Sequence, residues 1–377
     1  MPKLERAELW RVHLPLVAPF ESGAGREDVR DLLLVHLETT EGDGWGECAA
    51  LTAPLYTSEY VDGAEHVIRH HLLPRLFAAE TTPEEAIRCW SPVKGHPMAK
   101  ACLELAVLDA DLRARGISLA RYLGGGREAV EAGVTVGLQE SIPALLEAVS
   151  GYVAEGYRRV KLKIVPGRDV EWVGAVREAF PDLGLQVDAN CAYQISDAGH
   201  LRRLDPFDLL LIEQPLAEER LAEHAELARR VRTPICLDES ITSAHVAAAA
   251  IEMGACSVIS IKPGRLGGYL EARRTHDLCM ARDVPVWIGG MLESGIGRAA
   301  NAAVAALPGF TLPGDLSASD RYYRRDLITE PFRLEQGRLT VPAGPGLGVL
   351  VDVETIRELA TAHDVLTARE AARDYLL

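Results

Sequence analysis

The sequence predicts an α/β protein: a (β/α)7β TIM-like barrel with an α+β capping domain built from the N-terminal and C-terminal segments. Three observations predict it. First, charged residues close short apolar runs at a fixed interval. Lys163 ends VKLK, Asp188 ends LQVD, Glu213 ends LLLIE and Asp238 ends ICLD, each 25 positions after the last, and Lys262 ends VISIK 24 positions later. One strand, one helix and two loops take roughly 25 residues, so this is the beat of a βα repeat. Second, the stretch before this repeat alternates like antiparallel strands and then turns helical. Third, 377 residues exceed one ordinary single-core domain.

In chain order, ELWRVHLPL and DLLLVHLETTEG read as strands, with GDGWGE turning into a third. From about Glu59 to Arg115 the pattern is helical; Met98, Cys102, Leu105, Val107 and Leu108 share helical spacing, and Gly116 ends the run. GGGRE, Gly124–Glu128, reads as a linker. The barrel beat begins at Gly133. Its strands are expected near Val134–Val136, Arg159–Ile164, Leu185–Val187, Leu209–Ile212, Ile235–Leu237, Val258–Ile261, Pro285–Ile288 and Phe310–Leu312. Helical segments such as DVEWVGAVREAF and RLAEHAELARRV fill seven of the intervals, which favours a barrel over a doubly wound sheet. From about Arg324, FRLEQGRLTVPAGPGLGVLVD and a final helix resemble the first segment in pattern and are expected to pack with it. The domains are thus 1–125 (cap), 126–323 (barrel) and 324–377 (completing the cap).

Hydrophobic residues make up 48% and charged residues 25%, as in an ordinary globular protein, with a formal net charge of −15. An acidic chain lacks the footprint for nucleic acid or anionic membrane, and neither is an expected partner. The start, MPKLERAELWRVHLPL, lacks the pattern of a secretory signal, and no apolar run reaches membrane-spanning length. Seven scattered cysteines without C-x-x-C spacing argue against a disulfide framework or a zinc site and suggest small buried apolar residues. The expected location is the cytoplasm.

Barrel strands carry active sites at their carboxyl ends, where all five charged residues stand. Asp188, Glu213 and Asp238 offer oxygen ligands from three consecutive strands, while His200, His224 and His245 lie within helices. An all-carboxylate set favours a hard cation, Mg²⁺, with Mn²⁺ or another divalent ion as a substitute. Any one carboxylate could instead cap a helix; three in register between lysines are better explained as ligands. Without a metal, their mutual repulsion would raise at least one pKa.

Lys161 and Lys163, two apart on a strand, point into the barrel together and are expected to lower each other's pKa, which suits a lysine base. Lys262 lies four strands round and faces them across the mouth. A metal-held substrate carboxylate between opposed lysines suits proton removal on one face of the α-carbon and return on the other. Weaker features are the glycines of GRLGG and GGMLESGIG, read as tight turns rather than a phosphate site, and the pair His70–His71, read as a solvated helix face. No Ser/His/Asp or Cys/His nucleophile arrangement stands out.

At KLK (161–163), DAN (188–190), EQP (213–215), DES (238–240) and IKPGRLGG (261–268) the chain resembles the enolase superfamily, specifically its muconate-lactonizing subgroup. The resemblance implies Mg²⁺-assisted proton abstraction through an enediolate. Mandelate-racemase-like members would carry histidine at Lys262. Dipeptide epimerases of the subgroup carry Asp-x-Asp in the eighth strand region. Here LPGDLSASDRYY (312–323), with GGMLESG (289–295), is similar to the o-succinylbenzoate synthase/N-acylamino acid racemase family.

That likeness implies two reactions at one site on a small carboxylate: racemisation of N-acylamino acids such as N-succinylamino acids, and dehydration to o-succinylbenzoate for menaquinone synthesis. It implies Lys163 and Lys262, with Lys161, as catalytic residues. Thr135, Asn190, Gly290, Met291, Ser317, Phe20 and Tyr56 are implied at the substrate, with PLVAPFESGAG (15–25) as a mobile loop and a homo-oligomer as the assembly. Thr135 stands where serine is usual and MLESG where MIETG is, which bears on substrate preference rather than chemistry. Competing readings are a dipeptide epimerase or muconate cycloisomerase of the same subgroup, a Schiff-base aldolase built on Lys262, and a barrel that binds without catalysing.

Overall fold

The computed structural model describes residues 2–22 and 25–374. The strands in chain order are β1 (Leu4–Ser22), β2 (Gly25–Thr39), β3 (Asp43–Cys48), β4 (Ala129–Glu131), β5 (Gly133–Val136), β6 (Arg159–Lys163) and β7 (Gly184–Asp188). They continue with β8 (Ile212–Glu213), β9 (Ile235–Leu237), β10 (Val258–Ile261), β11 (Val286–Ile288), β12 (Arg338–Thr340) and β13 (Ala360–Thr367). Strands β5 to β11 form a parallel sheet in sequential order, and β13-β1-β2-β3 form an antiparallel one. The short pair β12-β4 joins the later chain to the start of the barrel.

The expected eighth strand, Phe310–Leu312, is a correction. No regular strand forms there; one bridge links Phe310 to Val286, and the closing bonds come later, from Asp315 N to Ile288 O (2.8 Å) and Gly133 N to Gly314 O (2.8 Å). Pro313 has no N–H to donate, so the ladder is broken and resumes beyond it. These bonds tie β11 to β5 and close the sheet on itself. The expected strand at Leu209–Ile212 narrows to β8, although Leu210 N still donates to Leu185 O (2.8 Å). The tail is also richer than expected: after the helix Val353–Leu359 the chain forms β13, paired with β1, before a last helix at Ala368–Asp374.

The helix Pro97–Arg115 runs across the cap sheet, with Met98, Cys102, Leu105, Val107 and Leu108 buried. A side chain on Gly44 or Gly46 would place its Cβ 2.2 or 2.0 Å from the carbonyl oxygens of Ala106 and Cys102. The glycines of GDGWGE therefore let the helix lie directly on β3, a demand of packing rather than of turning. Among the described residues, no helix is long and apolar enough to cross a membrane.

Buried carboxylates clamp this cap to the barrel. Glu47 of β3 accepts from Ser294 N (2.9 Å) and Gly297 N (2.9 Å), at the start of the helix Gly295–Ala305. Glu104 accepts through Oε1 from Tyr269 N (2.5 Å) and Leu270 N (3.0 Å), at the start of the helix Tyr269–Met280. Burial pushes each carboxyl up to about 7. A folded-state pKa above the unfolded value means the native state binds more protons between roughly pH 4.5 and 7, so stability falls as pH rises through that window. Glu104→Gln keeps Oε1 for both donors, and its melting temperature should vary less between pH 5 and 8 than that of the wild type; an unchanged slope in calorimetry would refute this.

Candidate active site

The strand ends bring the ladder together. Asp188, Glu213 and Asp238 are all buried at the carboxyl ends of β7, β8 and the loop after β9. Lys163 Nζ donates to Asp188 Oδ2 (2.7 Å) and Asn190 Oδ1 (2.5 Å). Lys262 Nζ, on the far side, donates to Asp238 Oδ2 (2.6 Å) and the Tyr56 hydroxyl (2.9 Å), which itself donates to Asp238 Oδ2 (3.0 Å). A Cβ on Gly289 would fall 2.5 Å from Lys262 Cε, so that glycine makes room for the lysine.

Backbone placement explains the precision of this set. Asn190 and Gln214 have left-handed φ of 39° and 38°, strained values that concentrate at functional sites. Gln214 Oε1 accepts from the backbone of Asp238 (3.0 Å) and Ser240 (3.2 Å), fixing the loop that presents Asp238. Asn190 Nδ2 donates to Glu239 Oε1 (2.8 Å).

Lys161 departs from expectation. Its Nζ meets Asp315 Oδ2 at 2.5 Å, Glu213 Oε2 at 2.9 Å and Asp188 Oδ2 at 3.3 Å, and lies 4.9 Å from the centre of the Trp287 ring. Burial opposes its charge, but Asp315, Glu213 and Asp188 outweigh burial and hold the pKa well above the usual lysine value. The lowering of Lys161 by a second lysine charge, that of Lys262, is overridden by three carboxylates. Lys262 is likewise held up, against burial, by Asp238. Burial and the Asp188 charge push Glu213 well up, whereas Lys163 and Lys161 overcome burial to keep Asp188 low.

The donor set fits a hard cation. Glu213 Oε1 and Asp238 Oδ1 are buried with no hydrogen-bond partner, a cost of about 1–3 kcal/mol each unless something fills the place. The ladder lysines satisfy only the other oxygens. Among the described residues, the group whose ligand atoms already lie within 4.8 Å of one another is not the ladder but Glu8, His36 and Glu38 on the cap sheet. Arg6 already bridges its two carboxylates, and His36 contacts Asp43 at 3.0 Å.

A cavity over the ladder is lined by Lys161, Lys163 and Lys262, and by Phe20, Tyr56, Thr135, Asn190, Gly290 and Met291. Ser317 is placed otherwise. It is buried outside this lining, and its carbonyl accepts from Arg298, which does line the cavity. Of the expected mobile loop, Gly23 and Ala24 lie outside the described residues.

Arg159, Asp315 and Trp287, none of them among the residues expected at the site, also meet beneath the ladder. Arg159 donates to Asp315 Oδ1 (2.6 Å), and its guanidinium lies 5.4 Å from the Trp287 ring centre, while Trp287 Nε1 donates to Cys236 Sγ (3.3 Å). The alternation Arg159, Lys161, Lys163 on one face of β6 was the available signal. A wider cleft of about 670 Å³ lies at the seam of residues 310–314 with 127–131. Its cations are engaged, Arg127 by backbone carbonyls and Arg338 by Glu131.

Residues 6–124 match the family profile described as mandelate racemase / muconate lactonizing enzyme, N-terminal domain, and residues 144–356 match enolase C-terminal domain-like. The chain is 60% identical to an N-succinylamino acid racemase of an Amycolatopsis species, over 96% of this chain and 98% of that relative. It is 44% identical to an o-succinylbenzoate synthase of Geobacillus kaustophilus, over 93% and 94% of the two chains. A solved enolase-superfamily structure from Listeria innocua superposes with a TM-score of 0.94 at 40% identity, covering 98% of this chain and all of that one.

Proposed function

Because the chain belongs to the mandelate racemase / muconate lactonizing enzyme family of the enolase superfamily, we propose that it is an enzyme abstracting the proton α to a carboxylate. Its reactions are racemisation of N-acylamino acids, N-succinylamino acids among them, and dehydration to o-succinylbenzoate. The activities named for the relatives support this pairing. The observation that carries it is the opposition of Lys163 and Lys262, each bonded to a different ladder carboxylate from strands β6 and β10, four strands apart in the sheet.

In racemisation the two lysines exchange roles: one takes the α-proton, the other returns a proton to the opposite face. In dehydration Lys163 is base and then acid on one face, while Lys262 lends positive charge to the enediolate. Lys161, tied to three carboxylates, holds the ladder in place rather than moving a proton. Asp188, Glu213 and Asp238 would hold Mg²⁺, or Mn²⁺ in its stead, which neutralises charge growing on the substrate carboxylate. Thr135, Asn190, Gly290, Met291, Phe20 and Tyr56 would surround the substrate.

The same reading takes the protein as a cytoplasmic homo-oligomer with a cap of residues 1–125 and 324–377 over a barrel of 126–323; light scattering on the purified chain tests the assembly. The reaction is tested by comparing kcat/KM for o-succinylbenzoate formation with that for N-succinyl- and N-acetylamino acid racemisation, and by following the α-proton in D₂O. Deuterium should enter the α-position of both enantiomers. Substrate that binds without any exchange would mark a non-catalytic barrel instead.

A further inference from the structure

The floor of the site carries a carboxylate that does not belong to the ladder. Asp315 stands just after the Pro313 break, in the segment that closes the sheet, where its backbone N donates to Ile288 O (2.8 Å). Its side chain is 10% exposed and reaches β6 with both oxygens. Oδ1 accepts from Arg159 Nη1 (2.6 Å), and Oδ2 meets Lys161 Nζ (2.5 Å). Two glycines make room for this arrangement. A Cβ on Gly133 would fall 2.2 Å from Arg159 Cζ, and one on Gly290 would fall 2.6 Å from the Asp315 carbonyl oxygen. Arg159 also donates to Pro313 O (2.6 Å) and faces Trp287, so it is anchored without any contact to the ladder.

Register sets the heights of the two lysines. On β6, Lys163 lies opposite Asp188 of β7, and Lys161 lies opposite Gln186, one layer deeper. The Lys161 ammonium has three N–H donors and three carboxylates to share them among. Its shortest contact is to Asp315, and the longer ones, 2.9 Å and 3.3 Å, are to Glu213 Oε2 and Asp188 Oδ2 of the ladder. A lysine and a divalent cation compete for the same carboxylate charge. Whatever part of the Lys161 charge Asp315 takes is therefore withdrawn from Glu213 and Asp188.

We infer that Asp315 is a positioning residue for the metal site: it holds Lys161 toward the floor and so leaves Glu213 and Asp188 the charge with which to bind a divalent cation. This rests on the reading of the ladder as a Mg²⁺ site. Groups behind the ligands of a metal change its affinity by about 10–100-fold when they are removed. Without the Asp315 charge, Lys161 turns to the two ladder oxygens it already contacts, and the cation has to displace it. Arg159 serves as the internal control. It shares Asp315 with Lys161 but has no contact with the ladder, so its loss leaves Asp315 to Lys161 alone.

The test is calorimetric titration of MgCl₂ into the substrate-free full chain, with melting temperatures taken in EDTA. It compares wild type, Asp315→Asn, Arg159→Met and the double variant Asp315→Asn/Arg159→Met. All three variants break the Asp315–Arg159 pair. Each single variant leaves a buried charge short of a partner and should melt lower, whereas the double variant removes both charges and should recover part of the loss. The Kd for Mg²⁺ should rise about 10–100-fold in Asp315→Asn and in the double variant, and should not rise in Arg159→Met. Should Asp315→Asn not fold, the double variant carries the same prediction. Equal Kd in wild type and the double variant would overturn the inference while leaving the Mg²⁺ reading intact. An equally large rise in Arg159→Met would trace the effect to a loosened floor and overturn it too. A wild type that binds no Mg²⁺ would overturn the reading itself.

Discussion

Lys163→Ala and Lys262→Ala should each lower racemisation by about 10³-fold or more, and they should differ in which enantiomer still exchanges its α-proton in D₂O. General-base catalysis contributes about 10²–10⁴-fold, and in the proposed two-base scheme racemisation uses both lysines in every turnover. Exchange needs only one, because the lysine that removes a proton can return deuterium to the same face. Proton NMR of each enantiomer with each variant therefore gives four rates. Opposed bases require a crossed pattern, with each variant silent toward one enantiomer. If both variants lose exchange of both enantiomers equally, a two-base site is excluded.

The geometry separates these lysines from Lys161. Lys161 sits among Asp188, Glu213 and Asp315 with its side chain 3% exposed, and breaking such a buried pair costs about 3–5 kcal/mol. Lys161→Ala should thus lower the melting temperature further than Lys163→Ala, which breaks one such pair, with Asp188.

The ladder was legible because a charge closing an apolar run at a strand end has few structural uses, and repetition at one interval removes most of them. The barrel followed from the same interval, and the cap strands from their alternation. Other features depend on contacts that local pattern does not encode. Tyr56 reaches Asp238 across 182 positions of chain, from a cap loop with no periodicity to read. Asp315 was hidden because Pro313 breaks the strand that should have announced it. Strand β13, ATAHDVLT, mixes polar and apolar residues without regular alternation and is mostly half-buried or exposed, so only its pairing with β1 distinguishes it from the helices on either side. A π-helical turn at Ile68–Leu72 stands in a run that reads as continuous helix, and Pro74 alone marked it.

The carboxylates provide the other large effect. Glu213→Gln should abolish both reactions, by at least about 10³-fold, as should chelation of divalent ions from the wild type. Activity alone would not distinguish a lost ligand from a damaged fold, but stability does. In the metal-free protein Glu213 is fully buried and its pKa is pushed up by burial and by Asp188, so its charge is unfavourable there. A neutral glutamine of nearly the same shape removes that cost and keeps an oxygen toward Lys161, whose charge stays paired with Asp188 and Asp315, and metal-free Glu213→Gln should melt no lower than the metal-free wild type. Adding Mg²⁺ reverses the order. An ion bound only by the folded state stabilises by about 2.7 kcal/mol at a hundred times its Kd, and a variant short of one ligand gains less at the same concentration. The expected result is therefore a crossing: equal or higher melting for the variant without Mg²⁺, and lower melting with it. A variant that keeps the full Mg²⁺-induced shift would remove Glu213 from the ligand set, and exchange surviving chelation in the wild type would remove the metal from the reaction.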